Sequence, residues 1–235
     1  IEDEMKEHNP HFTAMHINGF YGNSGPFYKG RYNVDSLEDL QNAGKFFGEE
    51  IIGAYQKITA RPSHGRIWAA LKRDVLPSNK ENREFVEYFG DYEDMPLVIS
   101  LGGFGDIAFI GVNFEPFSII GARLKAEAPF RTVLPAGNVN GWKGYIPTKE
   151  TFANNLISKE VECQPVKTPF TGEVEEIFYS KLIDALCEQA GVSLTRIEST
   201  ASAPYEENGT AVYGFDFGRS VSVDKLVIDF GQKYR

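Results

Sequence analysis

A strand, a helix and a second strand in succession near the middle of the chain limit the possible folds more than any other feature. Residues 107–112 form an apolar run that predicts a buried strand, and residues 117–126 have the spacing of an amphipathic helix. A second strand is predicted at 131–135, before a loop rich in glycine and asparagine at 138–148. Glu115 lies in the polar break after the first strand. Because sites in an α/β layer form where strands end and loops begin, we expect Glu115 and this loop to face one crevice.

Further helices and strands are predicted around this central unit. Ser36 is the predicted N-cap of a helix that runs to about Lys57, with Asp39 in its first turn. The most regular helical pattern is 171–191, where Gly191 suits the position just after a helix. The remaining predictions are strands at 12–19 and 96–101, helices at 82–89 and 149–157, a glycine-rich loop at 20–31 and a hairpin-like glycine link at 102–106. The pattern of residues 65–75 fits either a strand or a helix.

The alternation of strands and helices predicts an α/β fold with a mixed, layered sheet and flanking helices. Beyond the last helix the helical period disappears. Residues 212–217 and 221–230 alternate or run apolar instead, which is typical of a β-hairpin or the edge of a β-sandwich. We therefore divide the chain into an α/β part at 1–191 and a small, all-β C-terminal segment at 192–235, with the boundary near 191–205.

Composition is that of a globular protein and disfavours some partners. The 235 residues are 42% hydrophobic, which is enough for a sizeable core. The net charge of −9 disfavours binding to nucleic acid and to anionic lipid. No apolar run has the length of a transmembrane segment. The two cysteines, Cys163 and Cys187, are expected to be partly buried thiols or, alternatively, a single disulfide.

Two motifs in the central unit and one before it resemble a known family. FEPFSIIGARLK, followed further along by GNVNGWKGYIPTKETF, resembles the metal-site half of the neutral/alkaline, non-lysosomal ceramidase family of zinc amidohydrolases. The earlier stretch FTAMHINGFYGNSGPFYKGRYNVDSLEDLQNAGKFFGEEIIGAYQKI is similar to a strand, a glycine loop and a helix of that family. The resemblance covers residues 12–185 and favours a strand at 65–75. It implies that 1–191 is the rear, C-terminal part of a ceramidase-like hydrolase domain and that 192–235 belongs to a β-sandwich domain.

The resemblance also implies roles for individual residues. Carried over by position, Glu115 and Tyr145 are the zinc ligands. Asn23 and Ser24 in the glycine loop are the candidate substrate-binding residues, together with Trp142, which lies where the family has another aromatic residue. The implied activity is zinc-dependent hydrolysis of an amide bond in an N-acyl, ceramide-like substrate, or of an ester, by metal-activated water.

The same resemblance implies a partner, a substrate class and a location. The family's zinc-binding histidines precede the region that matches this chain, and the chain opens with Ile1 rather than Met. We therefore expect a C-terminal fragment, a processed chain or a trimmed product, with further zinc ligands in a missing N-terminal part of the same protein. The substrate is expected to be a small or lipid-like molecule, and the location extracytoplasmic, either secreted or periplasmic.

The chain departs from the family pattern at three places. Gly25 occupies the position of a serine that the family uses in hydrolysis, Asn113-Phe114 replaces a Pro-Gly pair, and Ile157 falls near the position of a tyrosine. These departures leave two alternatives open. The protein is then a catalytically degenerate relative that binds a carbohydrate or a lipid, or a structural subunit without a small-molecule site.

The residues alone also allow simpler interpretations. A glutamate between a strand and a helix is commonly an anion stabilised by the helix dipole, and Asp106 with Glu115 would form a glycosidase-like acidic pair. The sequence has no Walker A loop, dinucleotide fingerprint or nucleophile elbow. The histidines form no metal motif: surface positions are expected for His8 and His11, a hydrogen-bonded structural role for His16, and a loop position for His64.

Overall fold

A computed structural model describes most of the chain. The described residues are 1–25, 27–28, 31–32, 36–59, 65–79, 94–153, 168–193, 200–201, 205–207, 210–212 and 215–216. Several sequence predictions lie outside them, namely the helix at 82–89, the strand at 221–230, His64, Ile157 and Cys163.

The described elements alternate between strands and helices. The helices are α1 (Glu2–Lys6), α2 (Leu37–Gln56), α3 (Ser118–Glu127), α4 (Lys149–Ala153) and α5 (Val174–Ala190). The strands are β1 (Phe27–Tyr28), β2 (Arg31–Tyr32), β3 (Ile67–Pro77), β4 (Asp94–Phe104), β5 (Ile107–Val112), β6 (Glu115–Pro116), β7 (Thr132–Ala136), β8 (Tyr145–Ile146), β9 (Thr200–Ala201), β10 (Tyr205–Glu207), β11 (Thr210–Val212) and β12 (Phe215–Asp216).

The centre of the fold is a four-stranded mixed sheet in the order β3-β4-β5-β7. Strands β3, β4 and β5 pair antiparallel, and β7 joins β5 in parallel after the α3 crossover. The parallel pairing follows from the intervening helix, since two parallel strands need a crossover connection to return to the same end of the sheet. The predicted α/β class with a mixed sheet and flanking helices is confirmed.

One face of the sheet carries the hydrophobic core. Alternate residues of β4 are buried on this face, and helices α3 and α5 pack over it. In α5, Phe178, Tyr179 and Leu182 are fully buried, and the helix ends at Gly191 in the left-handed conformation with φ 68°. The predicted helix at 171–191 and its C-terminal glycine are therefore confirmed. Cys187 of the same helix is a buried free thiol, and burial raises its pKa.

Strand β4 is longer than the sequence predicted. Gly102 and Gly103, predicted to belong to a hairpin link, are paired within β4, opposite Ala69 and Trp68 of β3. Only Gly105 has a turn conformation, with φ 56°. Gly103 pairs with both neighbouring strands, and a side chain would not fit there, because an added Cβ would lie 2.3 Å from Ile107 O and 2.6 Å from an indole carbon of Trp68.

Helix α2 forms where the sequence predicted it, but its apolar stripe is not in the core. The Ser36 hydroxyl accepts a hydrogen bond from Asp39 N at 3.0 Å, which confirms the predicted N-cap. Leu37 and Phe47 are nevertheless 71% and 65% exposed. Periodicity identified the helix correctly but did not show which element its apolar face would meet.

The strand predicted at 12–19 is wrong. These residues form no strand, and Met15 and Ile17 are exposed. Phe12 contacts the Tyr55 ring instead, with 5.7 Å between centroids, and no described strand pairs with this segment. Asn18 and Gly19 instead offer their carbonyl oxygens to Gly137 N at 3.3 and 3.2 Å.

The C-terminal residues that the structure describes contain only short antiparallel pairs. Strand β10 pairs with β11, and β9 pairs with β12. The division of the chain near 191–205 stays a prediction. Within the described ranges, no helix combines the length and the apolar character that crossing a bilayer requires.

Candidate functional site

A second, two-stranded parallel sheet brings the two predicted zinc ligands side by side. Strands β6 and β8 pair so that Glu115 lies directly opposite Tyr145. Glu115 N donates to Gly144 O at 3.0 Å, and Phe117 N donates to Ile146 O at 3.0 Å. These residues follow β5 and β7, the strands whose ends were predicted to meet at one crevice. The expected proximity of Glu115 and the 138–148 loop is therefore observed.

The Glu115 carboxylate is held by two side chains of that loop. Trp142 Nε1 donates to Glu115 Oε2 at 3.1 Å, and Asn138 Nδ2 makes a longer contact to the same oxygen at 3.4 Å. The Trp142 ring meets the Tyr145 ring edge to face, with 6.1 Å between centroids. Trp142 thus contacts both predicted zinc ligands, and neither Glu115 nor Tyr145 is fully exposed to solvent.

Asn138 has an unusual conformation for a residue other than glycine. Its φ is 59°, in the left-handed region that asparagine tolerates better than most residues. Its backbone N donates to Phe114 O at 2.8 Å, and its side-chain Nδ2 donates to the Tyr21 hydroxyl at 2.5 Å. Its Oδ1 is buried and has no hydrogen-bond partner in the part of the chain that the structure describes.

Tyr21 is a residue of the site that the sequence analysis missed. Burial raises the pKa of its phenol, and the charge of Glu115 raises it further, against the opposing effect of hydrogen bonds from Asn138 and Asn18. The phenol therefore remains neutral at physiological pH. The glycine loop was recognised in the sequence, but the aromatic residue at its start carried no motif of its own.

The loop around Gly22 packs against strand β6, which carries Glu115. Gly22 N donates to Pro116 O at 2.9 Å, and an added Cβ on Gly22 would lie 2.5 Å from Glu115 O. Asn23 Oδ1 accepts from Ser118 N at 2.8 Å and so caps the start of α3. Ser24 is exposed, and its N donates to Tyr21 O at 2.7 Å. Substrate binding by Asn23 and Ser24 stays a prediction.

The simpler interpretations of Glu115 do not fit its position. Glu115 lies in β6, ahead of the first turn of α3, and the Asn23 side chain caps that turn. Asp106 lies at the opposite end of β5, roughly 20 Å away at the rise of a strand, which is too far for a glycosidase pair. The Asp106 carboxylate instead pairs with Arg131 at 2.5 Å.

The described histidines lie outside the Glu115 pair. His8 and His11 are exposed, as predicted for a surface pair. His16 is also exposed, and its Nε2 hydrogen-bonds Asn18 Oδ1 at 2.6 Å. Because Asn18 also contacts the Tyr21 phenol, a chain of polar contacts connects His16 to the edge of the site.

The chemistry of the donors fits part of a zinc site. A carboxylate is an ordinary zinc ligand, and a phenol becomes one when a nearby divalent charge lowers its pKa. Among the described residues, no three His, Cys, Asp or Glu side chains are close enough to share a metal ion. Glu115 and Tyr145 would thus supply two oxygens, and the other ligands would come from elsewhere in the protein.

The fold and the site define an α/β protein with a mixed sheet and a cluster of polar and aromatic side chains beyond the ends of β5 and β7. No protein-family model matches the chain, and a comparison with curated proteins finds no match. Among solved structures, the neutral ceramidase from Pseudomonas aeruginosa overlaps 72% of this chain and 36% of its own, with a TM-score of 0.48 and 14% identity. A ceramidase complexed with C2 overlaps 52% of this chain and 18% of its own, with a TM-score of 0.33 and 14% identity. The chain therefore spans little more than a third of the first of these proteins.

Proposed function

We propose that this chain is the rear part of the catalytic domain of a zinc-dependent hydrolase that cleaves an amide bond in an N-acyl, ceramide-like substrate, or an ester. The observation that carries the proposal is the pairing of β6 with β8, which sets Glu115 opposite Tyr145. The sequence resemblance singled out these two residues as zinc ligands, and the fold brings them together from separate loops.

The residues of the site have separate tasks in this proposal. The Glu115 carboxylate and the Tyr145 phenol hold the metal, with further ligands from histidines in an N-terminal part of the same protein. When bound, zinc lowers the pKa of a coordinated water and polarises the carbonyl of the substrate. Trp142 restricts the Glu115 carboxylate through its indole N–H and covers one edge of Tyr145.

An apolar groove beside the site supports a lipid-like substrate. The groove has a volume of about 480 Å³ and no charged residue in its lining. Its lining includes Gly102, Phe104, Phe109, Gly111 and Val139. Val139 in the lining is the chain neighbour of Asn138, which contacts Glu115. An amphiphile with a single acyl chain matches this arrangement, and an extracytoplasmic location suits such a substrate.

The experiment that tests the proposal is hydrolysis of N-acyl amides and fatty-acyl esters by the full-length protein. We expect activity that a chelator removes and added zinc restores, and a loss of more than about 100-fold in Glu115→Gln. Glu150→Gln is the matched control, because Glu150 is exposed in the first turn of α4. Zinc-independent hydrolysis, or full activity in Glu115→Gln, would contradict the proposal.

A binding module without catalysis is the second candidate, and one observation favours it. Glu115 Oε2 already accepts N–H groups from Trp142 and Asn138, beside the paired rings of Trp142 and Tyr145. An aromatic surface next to polar groups is an arrangement that also binds sugars and lipid headgroups. Saturable binding of an oligosaccharide or a lipid that Trp142→Ala abolishes, in a protein that hydrolyses none of the substrates, would favour this candidate.

A further inference from the structure

Two features that ordinarily destabilise a protein occur together at Asn138. Its backbone is in the left-handed region with φ 59°, and its buried Oδ1 has no hydrogen-bond partner among the described residues. Glycine at this position would relieve the backbone strain and would remove the unpaired oxygen. Such locally unfavourable features, when they persist at one residue, point to a role other than stability.

The amide of Asn138 connects two parts of the site. Its Nδ2 donates to the Tyr21 hydroxyl at 2.5 Å and lies 3.4 Å from Glu115 Oε2. The opposite orientation of the amide would place its oxygen against the carboxylate, and the two negative oxygens would repel each other. The amide nitrogen therefore faces Glu115, while the Tyr21 phenol anchors it from the other side.

Asn140 provides an internal comparison in the same loop. Its φ is 61°, almost the same as that of Asn138, but its Nδ2 donates to Ser100 Oγ at 2.8 Å. Asn140 is exposed, and within the described loop its side chain hydrogen-bonds Ser100 rather than Glu115. The two asparagines share a backbone conformation and differ in what their side chains contact.

We propose that Asn138, anchored by Tyr21, is a positioning residue that orients the Glu115 carboxylate. This inference rests on the proposed function in one respect, because a zinc site requires an oriented carboxylate. Removal of a residue that hydrogen-bonds a metal ligand typically weakens metal binding by about 10–100-fold. Asn138 itself acts only through Glu115.

The test compares Asn138→Gly with Asn140→Gly. Both substitutions relieve a left-handed backbone, and only the first removes the contacts to Glu115 and Tyr21. Because the chain has two tryptophans, each variant is made in a Trp68→Phe background, which leaves Trp142 as the reporter of the carboxylate that its indole contacts. The measurements are the melting temperature and the emission and acrylamide quenching of Trp142 in this chain, and zinc affinity in the full-length protein.

We expect Asn138→Gly to change the emission and quenching of Trp142, to melt no earlier than Asn140→Gly, and to weaken zinc binding roughly 10–100-fold. Asn140→Gly should leave the Trp142 signal and zinc affinity unchanged. Tyr21→Phe, which keeps the ring and removes the anchoring hydroxyl, should change the Trp142 signal in the same direction as Asn138→Gly.

A different pattern would overturn the inference. If Asn138→Gly lowers the melting temperature while the Trp142 signal and zinc affinity match those of Asn140→Gly, Asn138 has only a structural role. If the unsubstituted full-length protein binds no zinc, the proposed function fails, but the Trp142 signal still decides whether Asn138 orients Glu115.

Discussion

At the scale of single residues, Gly22 shows how tightly the site is assembled. The loop of residues 20–25 approaches β6 so closely that a Cβ on Gly22 would lie 2.5 Å from Glu115 O and 3.1 Å from the Phe117 ring. The atom that it would meet first belongs to the backbone, which cannot rotate away as a flexible side chain can. A side chain at this position must displace the loop or β6.

We expect Gly22→Ala to lower the free energy of unfolding by about 1–3 kcal/mol, as overpacking typically does. Gly19→Ala is the matched control, because nothing lies within 4 Å of its added Cβ, and its effect should stay within about 0.5 kcal/mol. Urea unfolding of both variants provides the measurement. Equal stability of the two variants would show that the Gly22 loop does not pack against β6.

The sequence located some residues of the site and could not locate others. Glu115, Trp142 and Tyr145 stood in recognisable motifs, and their proximity followed from the rule that sites form where strands end. Tyr21 and Asn138 come together through contacts between segments that are distant in the chain. Neither residue has a local pattern that distinguishes it, so only the tertiary structure could reveal their contact.

At the scale of secondary-structure elements, Arg123 joins α3 to α5. It pairs with Glu127 at 3.1 Å and Glu176 at 2.5 Å, and its guanidinium lies 3.7 Å from the centroid of the Tyr179 ring. The Tyr179 hydroxyl donates to Glu127 Oε2 at 2.6 Å, which closes the cluster. This polar cluster borders the core and sets how the two helices meet.

We expect Arg123→Met to lower the free energy of unfolding by about 1–2 kcal/mol, because the contact between α3 and α5 loses the ion pair with Glu176 and the cation–π interaction with Tyr179, and α3 loses its internal pair with Glu127. Lys125→Met on the exposed side of α3 is the control and should change stability by less than about 0.5 kcal/mol. Thermal and urea unfolding measure both variants. Similar effects of the two substitutions would mean that the cluster contributes nothing beyond general surface charge.

Asp74 on β3 and Lys181 on α5 give the contact between sheet and helix a pH dependence. Their charged atoms are 2.8 Å apart, and the hydrogen bond from Lys181 lowers the pKa of the Asp74 carboxyl, with a smaller contribution from Val75 N. A carboxyl whose pKa is lower in the folded state than in the unfolded state stabilises the protein when the pH is above the unfolded-state pKa. This stabilisation is lost as the pH falls through the folded-state pKa.

The free energy of unfolding should therefore fall more steeply below about pH 4 in the unsubstituted chain than in Asp74→Asn. Lys181→Met should flatten the same part of the curve, since it removes the cation that lowers the pKa. The measurement is urea unfolding between acidic and neutral pH. Parallel curves for the three proteins would show that the pair does not contribute to acid unfolding.

Most elements of the α/β part followed from sequence patterns, and two of the failures share one cause. Strands β4, β5 and β7 and helices α3 and α5 each bury several apolar residues, and their sequence patterns indicated these elements. Residues 12–19 have a similar but weaker alternation and form no strand. For both residues 12–19 and α2, the sequence pattern did not show which part of the protein the apolar side chains would pack against.

At the scale of the whole molecule, the proposed zinc site would need ligands beyond Glu115 and Tyr145. These two residues would supply two oxygens, whereas a structural or catalytic zinc ion takes at least three protein ligands. We therefore expect this chain alone to bind zinc more weakly than a longer form that contains the proposed N-terminal histidines. Equal affinities, measured by competition with a zinc chelator, would place all the ligands within the 235 residues.

The most direct test of the account is the zinc affinity of the full-length protein with each proposed ligand replaced. We predict that Glu115→Gln and Tyr145→Phe each weaken zinc binding by more than about 100-fold, whereas the exposed controls Glu150→Gln and Tyr55→Phe leave it unchanged. Zinc bound as tightly by Glu115→Gln and Tyr145→Phe as by the unsubstituted protein would contradict the account.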